Sequence, residues 1–513
     1  MVGMIPCPVR LQACLPEAKF PSDSEIQVTQ ISCDSRHVPT GSIFVAVSGT
    51  QADGHSFVHD AVAAGAKAVV VEQPVAAVSV PQIVVASTAR AWSQLCMAWH
   101  RNPQHQLSIA GITGTNGKTT TGWLLRNILV AAGHSVGMLG TVEYSDGHKR
   151  FASQLTTPNA RVQAELMASM ASLGTQHCVM EVSSHALEQQ RCSAVQLAAA
   201  AITNITHDHL DYHGNANAYR LAKSRIADLL HCDAPLVLNS DDHGCQRVLE
   251  ESTFTCPVIT FGQQADAELQ YSILTRTHRS QRLQMALAQG DVEARIRLIG
   301  DHNAANCMAA ASLAEQLGIS LAAIVQGLEV TREVPGRLER IDEGQPFQVF
   351  VDYAHTPDAL CHCLTTVRAF THGELICVFG AGGDRDQEKR PAMAQAAAVA
   401  DRVFLTSDNP RSESPAQIID DILEGFSTRR HVDVDTDRQA AIRRALQVAQ
   451  PGDAVVLAGK GHEQSQVMGT QTIAFDDRQV ARQLLKELVS PLQGADPEKY
   501  DSPRTSRLLT FPT

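Results

Sequence analysis

The 513-residue sequence lacks several features that would each assign a class of protein. It has no uninterrupted apolar run of about 20 residues, which a membrane-spanning helix would need. Its N-terminal stretch shows no basic segment followed by an apolar core, as a secretory signal would. No Cys-x-x-Cys pair occurs among its 13 scattered cysteines, which argues against a zinc ribbon or a disulfide framework. We therefore expect reduced cysteines, no membrane insertion and a cytoplasmic location.

The sequence also lacks an excess of positive charge. Its 42 basic and 54 acidic side chains give a formal net charge of −12, and no basic stripe stands out. A nucleic-acid-binding protein usually carries such a stripe, so nucleic acid is not an expected partner. An acidic enzyme still binds anionic substrates when local sites supply the positive charge.

The composition, with 44% hydrophobic and 19% charged residues, is that of a globular protein of several domains. Predicted strands alternate with predicted helices, which favours α/β domains with mostly parallel sheets and helices on both faces. We predict a first domain over residues 1–103, a central domain over 104–333 and a third over 334–495. The polar, proline-containing residues 496–513 are predicted to be a poorly ordered tail.

One stretch, residues 107–123, organises the central domain. An apolar strand over Leu107–Ile112 leads into a loop with glycines at 111, 114 and 117, then into Lys118 and Thr119 and an amphipathic helix. This order is typical of a phosphate-binding loop, although the usual P-loop spacing would place a glycine where Ile112 stands. The alternative is a glycine-rich turn with an exposed lysine, which the flanking strand and helix disfavour.

Polar residues follow two further predicted strands of the central domain, Cys178–Val182 and Ala198–Ile202. Ligands of parallel sheets lie beyond the carboxyl ends of the strands. Glu181 and one histidine of the HDH segment, residues 207–209, fit a Mg²⁺ site. For His207 a solvated loop is the favoured interpretation, whereas for His209 both interpretations stay open. Tyr219 and Lys223, four residues apart, share a helix face.

The third domain repeats the pattern. Its predicted strands Phe347–Val351, Leu375–Phe379, Arg402–Leu405 and Ala454–Ala458 all run into polar or glycine-rich loops. Two arginines and one glutamate on these loops, Arg385, Arg411 and Glu463, suit a substrate that carries both charges, such as an amino acid. The alternative for Asp408–Arg411 is a structural turn with a surface salt bridge.

Taken together, the motifs resemble the Mur ligase family of peptidoglycan synthesis, and within it the members that add the third residue of the peptide. The resemblance covers nearly the whole chain, to about residue 490. The matching motifs are DSR at 34–36, GTQADG at 49–54, GTNGKTTT at 114–121, EVSSHALEQQR at 181–191, NITHDHLDYHG at 204–214, GDHNAAN at 300–306, PGRLE at 335–339, VDYAHTPDAL at 351–360, GGDRD at 382–386, DNPR at 408–411 and GKGHE at 459–463.

The resemblance implies three α/β domains: an N-terminal uridine-binding domain, a central P-loop-type domain and a C-terminal Rossmann-like domain. It implies ATP and Mg²⁺ as cofactors. The implied substrates are UDP-N-acetylmuramoyl-L-alanyl-D-glutamate and meso-diaminopimelate. In the implied reaction the D-glutamate carboxylate is phosphorylated to an acyl phosphate, which the amine of the diamino acid then attacks. A monomer is the default expectation.

Site residues follow from the matched motifs. The resemblance implies that ATP is bound by Gly114, Thr115, Asn116, Gly117, Lys118, Thr119, Thr120, His302, Asn303, Arg337 and Asp352. Catalysis is assigned to Lys118, Glu181, His209 and Lys223, and the metal to Thr119, Glu181, His209 and a carbamylated Lys223. The uridine nucleotide is assigned to Cys33, Ser35, Thr50, Gln51 and Ala52, and the muramyl dipeptide to Thr156, Thr157, Ser183, Gln189 and Arg191. The incoming amino acid is assigned to Arg385, Asp408, Asn409, Pro410, Arg411, Gly459 and Glu463.

Four other functions compete with this interpretation. A lysine-adding ligase would share the fold, but Arg411 in the DNPR motif indicates a substrate with a second carboxylate. A folate-polyglutamate synthase would lack that motif and the uridine domain. A non-catalytic scaffold of the same family would have lost Lys118 or Lys223, both of which are present. A P-loop switch or motor would need effector regions, and none is found.

Overall fold

The computed structural model describes residues 8–21, 25–49, 52–206 and 208–493. Within these residues the chain forms two compact units, one up to Pro335 and one from Gly336 onward. No helix in these ranges is both long and apolar enough to cross a membrane. The predicted tail over 496–513 falls outside the described residues, and the predicted boundary between residues 103 and 104 stays a prediction.

The first unit begins with a small parallel sheet of four strands in the order β3-β4-β5-β6. Nearly all of its β-branched residues are buried on both faces, as expected of a covered parallel sheet. The elements here are β1 Val9–Arg10, α1 Leu11–Cys14, β2 Gln27–Val28, β3 Ile31–Ser32, β4 Ile43–Val45, α2 Val58–Ala63, β5 Ala68–Val71, β6 Gln82–Val84 and α3 Thr88–Trp99.

The centre of this unit is an eleven-stranded sheet in the order β10-β9-β8-β11-β7-β12-β13-β14-β15-β16-β17. Strands β8, β11, β7, β12, β13, β14 and β15 pair in parallel. The strands are β7 Ser108–Thr113, β8 Val136–Leu139, β9 Glu143–Ser145, β10 Arg150–Ala152, β11 His177–Glu181, β12 Ala199–Ile202, β13 Leu236–Asn239, β14 Val258–Gly262, β15 Leu269–Arg276, β16 Gln281–Leu287 and β17 Gly290–Ile296.

Eight helices accompany this sheet in the described residues. They are α4 Lys118–Ala131, α5 Ala160–Ser172, α6 Ser184–Glu188, α7 Leu210–His213, α8 Ala216–Ser224, α9 His243–Glu251, α10 Asp301–Gln316 and α11 Leu321–Val330. Side-chain caps mark several starts: Asn159 accepts from the N–H of Val162 at α5, and Asn215 accepts from the N–H of Ala218 at α8. Helix α10 is rich in alanine and almost wholly buried, so it packs closely against α4 and the sheet.

The second unit is built on a six-stranded sheet in the order β18-β19-β23-β20-β21-β22, parallel except for β18. A separate two-stranded sheet joins β24 and β25. Its elements are β18 Glu339–Arg340, β19 Gln348–Asp352, α12 Pro357–Arg368, β20 Leu375–Phe379, α13 Lys389–Ala397, β21 Arg402–Leu405, α14 Pro415–Leu423, β22 Val432–Val434, α15 Arg438–Val448, β23 Ala454–Ala458, β24 Ser465–Met468, β25 Gln471–Ala474 and α16 Asp477–Gln493.

The predicted α/β class and mostly parallel sheets are confirmed. Strands β20, β21 and β23 have the predicted bounds, and β7, β11, β12 and β19 differ from the predicted bounds by one residue. The sequence reasoning did not foresee the antiparallel extension β15-β16-β17 of the central sheet. Its strands alternate buried and exposed residues, as strands with one solvated face do.

Helices α4 and α11 approach closely at Gly327. A Cβ added there would lie 2.6 Å from the backbone nitrogen of Ile128, with Ile128 Cα nearer still. Because backbone atoms cannot yield as a flexible side chain does, only glycine fits at this crossing. The contact fixes α11 against the helix that begins at Lys118.

We expect Gly327→Ala to destabilise the first unit by about 1–3 kcal/mol, the range for overpacking a well-packed core. The matched control is Gly122→Ala in α4, where the new Cβ would lie 3.4 Å from the flexible end of Met138. That control should be neutral or stabilising, because alanine is the better helix former. Urea-induced unfolding measures both variants; equal midpoints for the two would contradict the close backbone contact.

Candidate active site

The loop between β7 and α4 has a backbone that only glycine adopts readily. Gly114 has φ +155° and Gly117 has φ +86°. Space is short as well, since a Cβ at Gly114 would collide with Thr203 Oγ1 and one at Gly117 with Asn306 Oδ1. The loop is thus a tight turn in front of the N-terminus of α4, the geometry expected of an anion-binding loop.

Residues at the end of the neighbouring strand β12 hold this loop in place. Asn204 Oδ1 accepts from the N–H of Asn116 at 2.8 Å, and Asn204 Nδ2 donates to Asn116 O at 3.0 Å. Thr203 Oγ1 donates to the same carbonyl at 2.6 Å. The N–H of Thr115 donates to Asn204 O at 2.8 Å. The loop shape is therefore set before any ligand arrives.

Two lysines meet at the carbonyl of Gly114. Lys118 Nζ donates to it at 2.7 Å and to Thr115 O at 2.9 Å. Lys223 Nζ, from α8, donates to Gly114 O at 2.8 Å. Two amines on one oxygen make this corner of the site attractive to anions such as phosphate.

Glu181, at the end of β11, is fully buried and beside the loop. Its carboxylate accepts from Thr119 Oγ1 at 2.9 Å, from Thr141 Oγ1 at 2.8 Å and from the N–H of Thr141 at 2.9 Å. The structure thus brings together Thr119 and Glu181, which lie 62 positions apart in the sequence. A carboxylate beside a threonine hydroxyl is a donor set that Mg²⁺ accepts, so the residues present fit the predicted metal.

Tyr219 lies between the phosphate loop, Lys223 and His209 in the contacts of the described residues. Lys223 Nζ lies 4.6 Å from the centre of the Tyr219 ring, and the His209 ring centre lies 6.4 Å from that of Tyr219. Tyr219 OH is 3.1 Å from Thr115 Oγ1 in the loop. His209 itself has φ +53° and its Nε2 lies 3.5 Å from Asp208 Oδ2. His207 falls outside the described residues.

The side chain of Lys223 is fully buried. Burial lowers the pKa of Lys223 well below its ordinary value, and the positive charge of Lys118 lowers it further. Asp208 acts in the opposite direction but does not offset the burial. The amine is therefore deprotonated more readily than that of a surface lysine, and a neutral amine is the nucleophilic form.

Of the five residues predicted for the muramyl dipeptide, Thr157 contacts Glu181 directly, and Ser183 and Arg191 contact Thr157. Thr157 Oγ1 donates to Glu181 O at 2.9 Å, and Thr157 O accepts from Arg191 Nη1 at 2.7 Å. Ser183 caps α6, and its N–H donates to Thr157 Oγ1 at 2.9 Å. The remaining contacts are Thr141 Oγ1 to Thr156 Oγ1 at 3.1 Å and Gln189 Nε2 to Tyr212 OH at 3.1 Å.

The other predicted residues of the first unit lie on α10 and in the N-terminal region. His302 is exposed at the start of α10, whereas Asn303 is buried. The Asn303 amide donates to Ile299 O at 2.8 Å and accepts from Asn306 Nδ2 at 3.1 Å. Cys33 and Ala52 are exposed and Ser35 is half-buried in the N-terminal region. Thr50 and Gln51 fall outside the described residues.

The second unit carries its own polar cluster, beyond the carboxyl ends of β20, β21 and β23. Asn409 Nδ2 donates to Glu463 Oε2 at 2.8 Å. Arg411 has φ +51°, and its guanidinium donates to Gly383 O. Position 459 has no room for a side chain, because a Cβ there would collide with Asp408 Oδ2. Pro410 is buried in the same turn, and Arg385 is exposed on the facing loop.

Arg337 and Asp352, the two nucleotide candidates of the second unit, are neighbours. Asp352 accepts from the N–H groups of Leu338 at 2.7 Å and Ala354 at 2.8 Å. Burial raises the pKa of Asp352, and the nearby charge of Arg337 counteracts this in part. The Arg337 guanidinium lies 4.7 Å from the centre of the Tyr353 ring.

Sequence reasoning missed several residues that these contacts single out. Thr141 binds Glu181 through both its N–H and its hydroxyl, yet no motif marks it. Asn306 contacts the phosphate loop and lies inside a quoted motif, but its spacing gives no sign of that contact. Lys460, in the GKGHE motif, is fully buried beside Asn409 and Glu463.

Three family models match successive parts of the chain. The Mur ligase family catalytic domain matches residues 27–100, the Mur ligase middle domain 112–314 and the Mur ligase glutamate ligase domain 336–461. The first model covers the N-terminal four-stranded sheet, and the second covers the phosphate loop. The third begins at Gly336, where the second compact unit begins.

Individual proteins resemble the chain over most of its length. Two curated relatives bear the name UDP-N-acetylmuramoyl-L-alanyl-D-glutamate–2,6-diaminopimelate ligase. The one from Thermosynechococcus vestitus is 42% identical over 487 residues, covering 91% of this chain and 95% of the relative. The one from Geobacillus thermodenitrificans is 41% identical over 468 residues, covering 90% and 95%. A solved structure of a ligase with the same name is 32% identical, with TM-score 0.66, covering 94% of this chain and 99% of that one.

The depressed pKa of Lys223 predicts a pH-dependent loss of stability. In the unfolded chain the amine has its ordinary pKa of about 10.4, so the unfolded state holds a proton that the folded state releases. The free energy of unfolding therefore falls as the pH drops from about 10 towards the folded-state pKa. Lys223→Met removes this loss, and the variant should be more stable than the wild type at neutral pH.

Urea unfolding in CO₂-free buffer at several pH values measures the difference in free energy of unfolding between Lys223→Met and the wild type. This difference should shrink as the pH rises towards about 10. The exposed Lys149 provides the matched control. Lys149→Met should show no pH-dependent difference from the wild type. A Lys223→Met variant whose stability difference from wild type is the same at all pH values would contradict the burial argument.

Proposed function

Because the chain belongs to the Mur ligase family, we propose that it joins meso-2,6-diaminopimelate to UDP-N-acetylmuramoyl-L-alanyl-D-glutamate in peptidoglycan precursor synthesis. It is an ATP-dependent, ADP-forming ligase that makes an amide bond between a carboxylate and an amine. The observation that carries the proposal is the gathering of Lys118, Thr119, Glu181 and Lys223 around one phosphate loop. The proposed cytoplasmic location and monomeric state rest on the sequence alone.

The first proposed step activates the substrate carboxylate. A carboxylate is a poor electrophile because its leaving group is bad, and phosphorylation corrects this. An oxygen of the D-glutamate carboxylate attacks the γ-phosphorus of ATP, the bond to the bridging oxygen breaks, and ADP leaves with an acyl phosphate formed. Lys118 and the loop N–H groups neutralise and orient the phosphates, so positioning and charge supply most of the catalysis.

Mg²⁺ would supply further neutralisation of the phosphate oxygens when bound. Thr119 and Glu181 are the residues that fit it, and their present hydrogen bond shows that their oxygens lie side by side. His209 and a carbamylated Lys223 are proposed as additional ligands.

We propose that Lys223 is carbamylated, which its burial and lowered pKa support. The neutral amine attacks the carbon of CO₂, a nitrogen–carbon bond forms and one proton passes to solvent. The product carries a negative charge where the ammonium would carry a positive one. It would relieve the repulsion between Lys223 and Lys118 that lowers the pKa of Lys223 in the unmodified protein.

The second proposed step makes the amide bond. The neutral amine of diaminopimelate attacks the acyl carbon, phosphate leaves, and the amine loses a proton. Water must be kept from the acyl phosphate during this step, since hydrolysis would waste the ATP. Thr156, Thr157, Ser183, Gln189 and Arg191 are proposed to hold the muramyl dipeptide; Thr157 contacts Glu181, and Ser183 and Arg191 contact Thr157.

Selectivity for diaminopimelate is proposed to rest on Arg411. Diaminopimelate carries a second carboxylate at its distal end, which a guanidinium binds with charge-assisted hydrogen bonds. L-Lysine lacks this carboxylate and would leave Arg411 without that partner. Arg385, Asp408, Asn409, Pro410, Gly459 and Glu463 are proposed to complete the amino-acid site.

Phosphate release with ATP, Mg²⁺ and UDP-N-acetylmuramoyl-L-alanyl-D-glutamate tests the function directly. We expect turnover when meso-diaminopimelate is added and none above background with L-lysine. Turnover with lysine alone would identify a lysine-adding ligase and overturn the proposed selectivity. The absence of turnover with either amino acid, in protein that still binds ATP, would favour a non-catalytic role.

Arg411→Ala should lower kcat/KM for diaminopimelate about 10- to 100-fold, because a hydrogen bond to a charged group is worth about 1.5–3 kcal/mol. Alanine keeps a Cβ, so the strain of the left-handed backbone at this position changes little. The exposed Arg430 provides the control, and Arg430→Ala should match the wild type. An unchanged kcat/KM for diaminopimelate in Arg411→Ala would rule out the assigned role.

A further inference from the structure

Lys460 is the residue of the second unit whose burial most needs an explanation. It follows β23 in the GKGHE motif, and its side chain is completely buried. Burying a lysine is costly unless its charge is paired and its hydrogen bonds are made. The groups that Lys460 contacts should therefore explain why it is buried.

All three donors of the Lys460 ammonium have partners. Nζ donates to Glu463 Oε2 at 2.9 Å, to Ser465 O at 2.8 Å and to Asn409 Oδ1 at 3.3 Å. The bond to Ser465 O anchors the ammonium to the backbone at the start of β24. The other two bonds go to side chains that the proposed function assigns to the amino-acid substrate.

These bonds fix the orientation of the Asn409 amide. Its Oδ1 accepts from Lys460 Nζ and from the N–H of Val467 at 3.0 Å. The Nδ2 end must therefore face Glu463, to which it donates. A flipped amide would place its NH₂ group against two donors, so Lys460 excludes that orientation.

In the Glu463 carboxylate, these contacts involve only one of the two oxygens. Oε2 accepts from both Lys460 and Asn409, at 2.9 and 2.8 Å. Oε1 takes part in none of the hydrogen bonds of the described residues, and 30% of the side chain remains exposed. Lys460 and Asn409 thus hold one carboxylate oxygen of this partly exposed side chain, and Oε1 can bind an incoming cation.

We propose that Lys460 is a positioning residue for the amino-acid substrate. It holds the Glu463 carboxylate and the Asn409 amide in the one arrangement that accepts the ammonium group of the diamino acid. The inference rests on the proposed function and goes beyond it, because Lys460 itself does not contact substrate. Without Lys460, Glu463 Oε2 loses one of its two donors, and Asn409 Oδ1 keeps only the N–H of Val467 as a donor.

Steady-state kinetics of Lys460→Met test the proposal. Methionine keeps the length and the apolar stem and removes the charge. We expect KM for diaminopimelate to rise about tenfold or more, with kcat and the KM values for ATP and the UDP-linked substrate changed by less than about threefold. A general structural defect would lower kcat and disturb all three KM values.

Arg368→Met is the matched control in the same unit. Arg368 pairs with Asp401 at 2.7 Å and donates to Thr371 O and Gly373 O, before the amino end of β20 and thus away from the cluster. Its loss should lower thermal stability without raising KM for diaminopimelate. The same KM increase in both variants would overturn the proposal.

A double-mutant cycle with Glu463→Gln separates positioning from a purely structural role. If Lys460 acts in part through Glu463, Lys460→Met should raise KM for diaminopimelate by a smaller factor in the Glu463→Gln background than in the wild type. Additive effects, or an unchanged KM in the single variant, would refute the inference. Wild-type turnover with diaminopimelate is measured first, so that failure of the proposed function and failure of this inference are told apart.

Discussion

The parallel pairing of β7 with β11 and β12 is the constraint on which the first unit's site depends. Ile112 pairs with Glu181, and Thr113 with Ile202, so three strands end within one residue of each other. The phosphate loop, the Glu181 carboxylate and the Thr203–Asn204 pair consequently leave the sheet at one edge. The contacts of Thr203 and Asn204 with the loop are made between residues that this register brings together.

The sequence was sufficient to predict this arrangement because its signals are local. Apolar runs mark the strands, and polar residues directly after them mark the edge of the sheet, which is how Glu181 was found. Burial of a charged side chain has no such signal. Lys460 lies next to a predicted substrate residue in an obvious motif, yet only packing shows that it is wholly enclosed. Thr141 likewise follows a glycine at a strand end like many surface threonines.

Charge in this protein is arranged locally. The chain carries a formal net charge of −12, yet two amines converge on the carbonyl of Gly114. A repulsive pair of this kind is stable only when it is buried with one amine deprotonated or when an anion joins it. The same pair therefore favours the binding of an anion, such as a phosphate group, at this corner of the site.

The hydrogen bond between Thr119 and Glu181 has a consequence for inhibition. In the ligand-free site the carboxylate is already satisfied by three donors, so a cation that enters exchanges partners instead of meeting a bare charge. The net binding free energy of the cation is therefore the difference between the bonds that it forms and the hydrogen bonds that it replaces. A compound designed to compete for this pocket gains little from reaching the carboxylate alone. It gains more from an anionic group that binds Lys118 and Lys223, whose amines converge on Gly114 O.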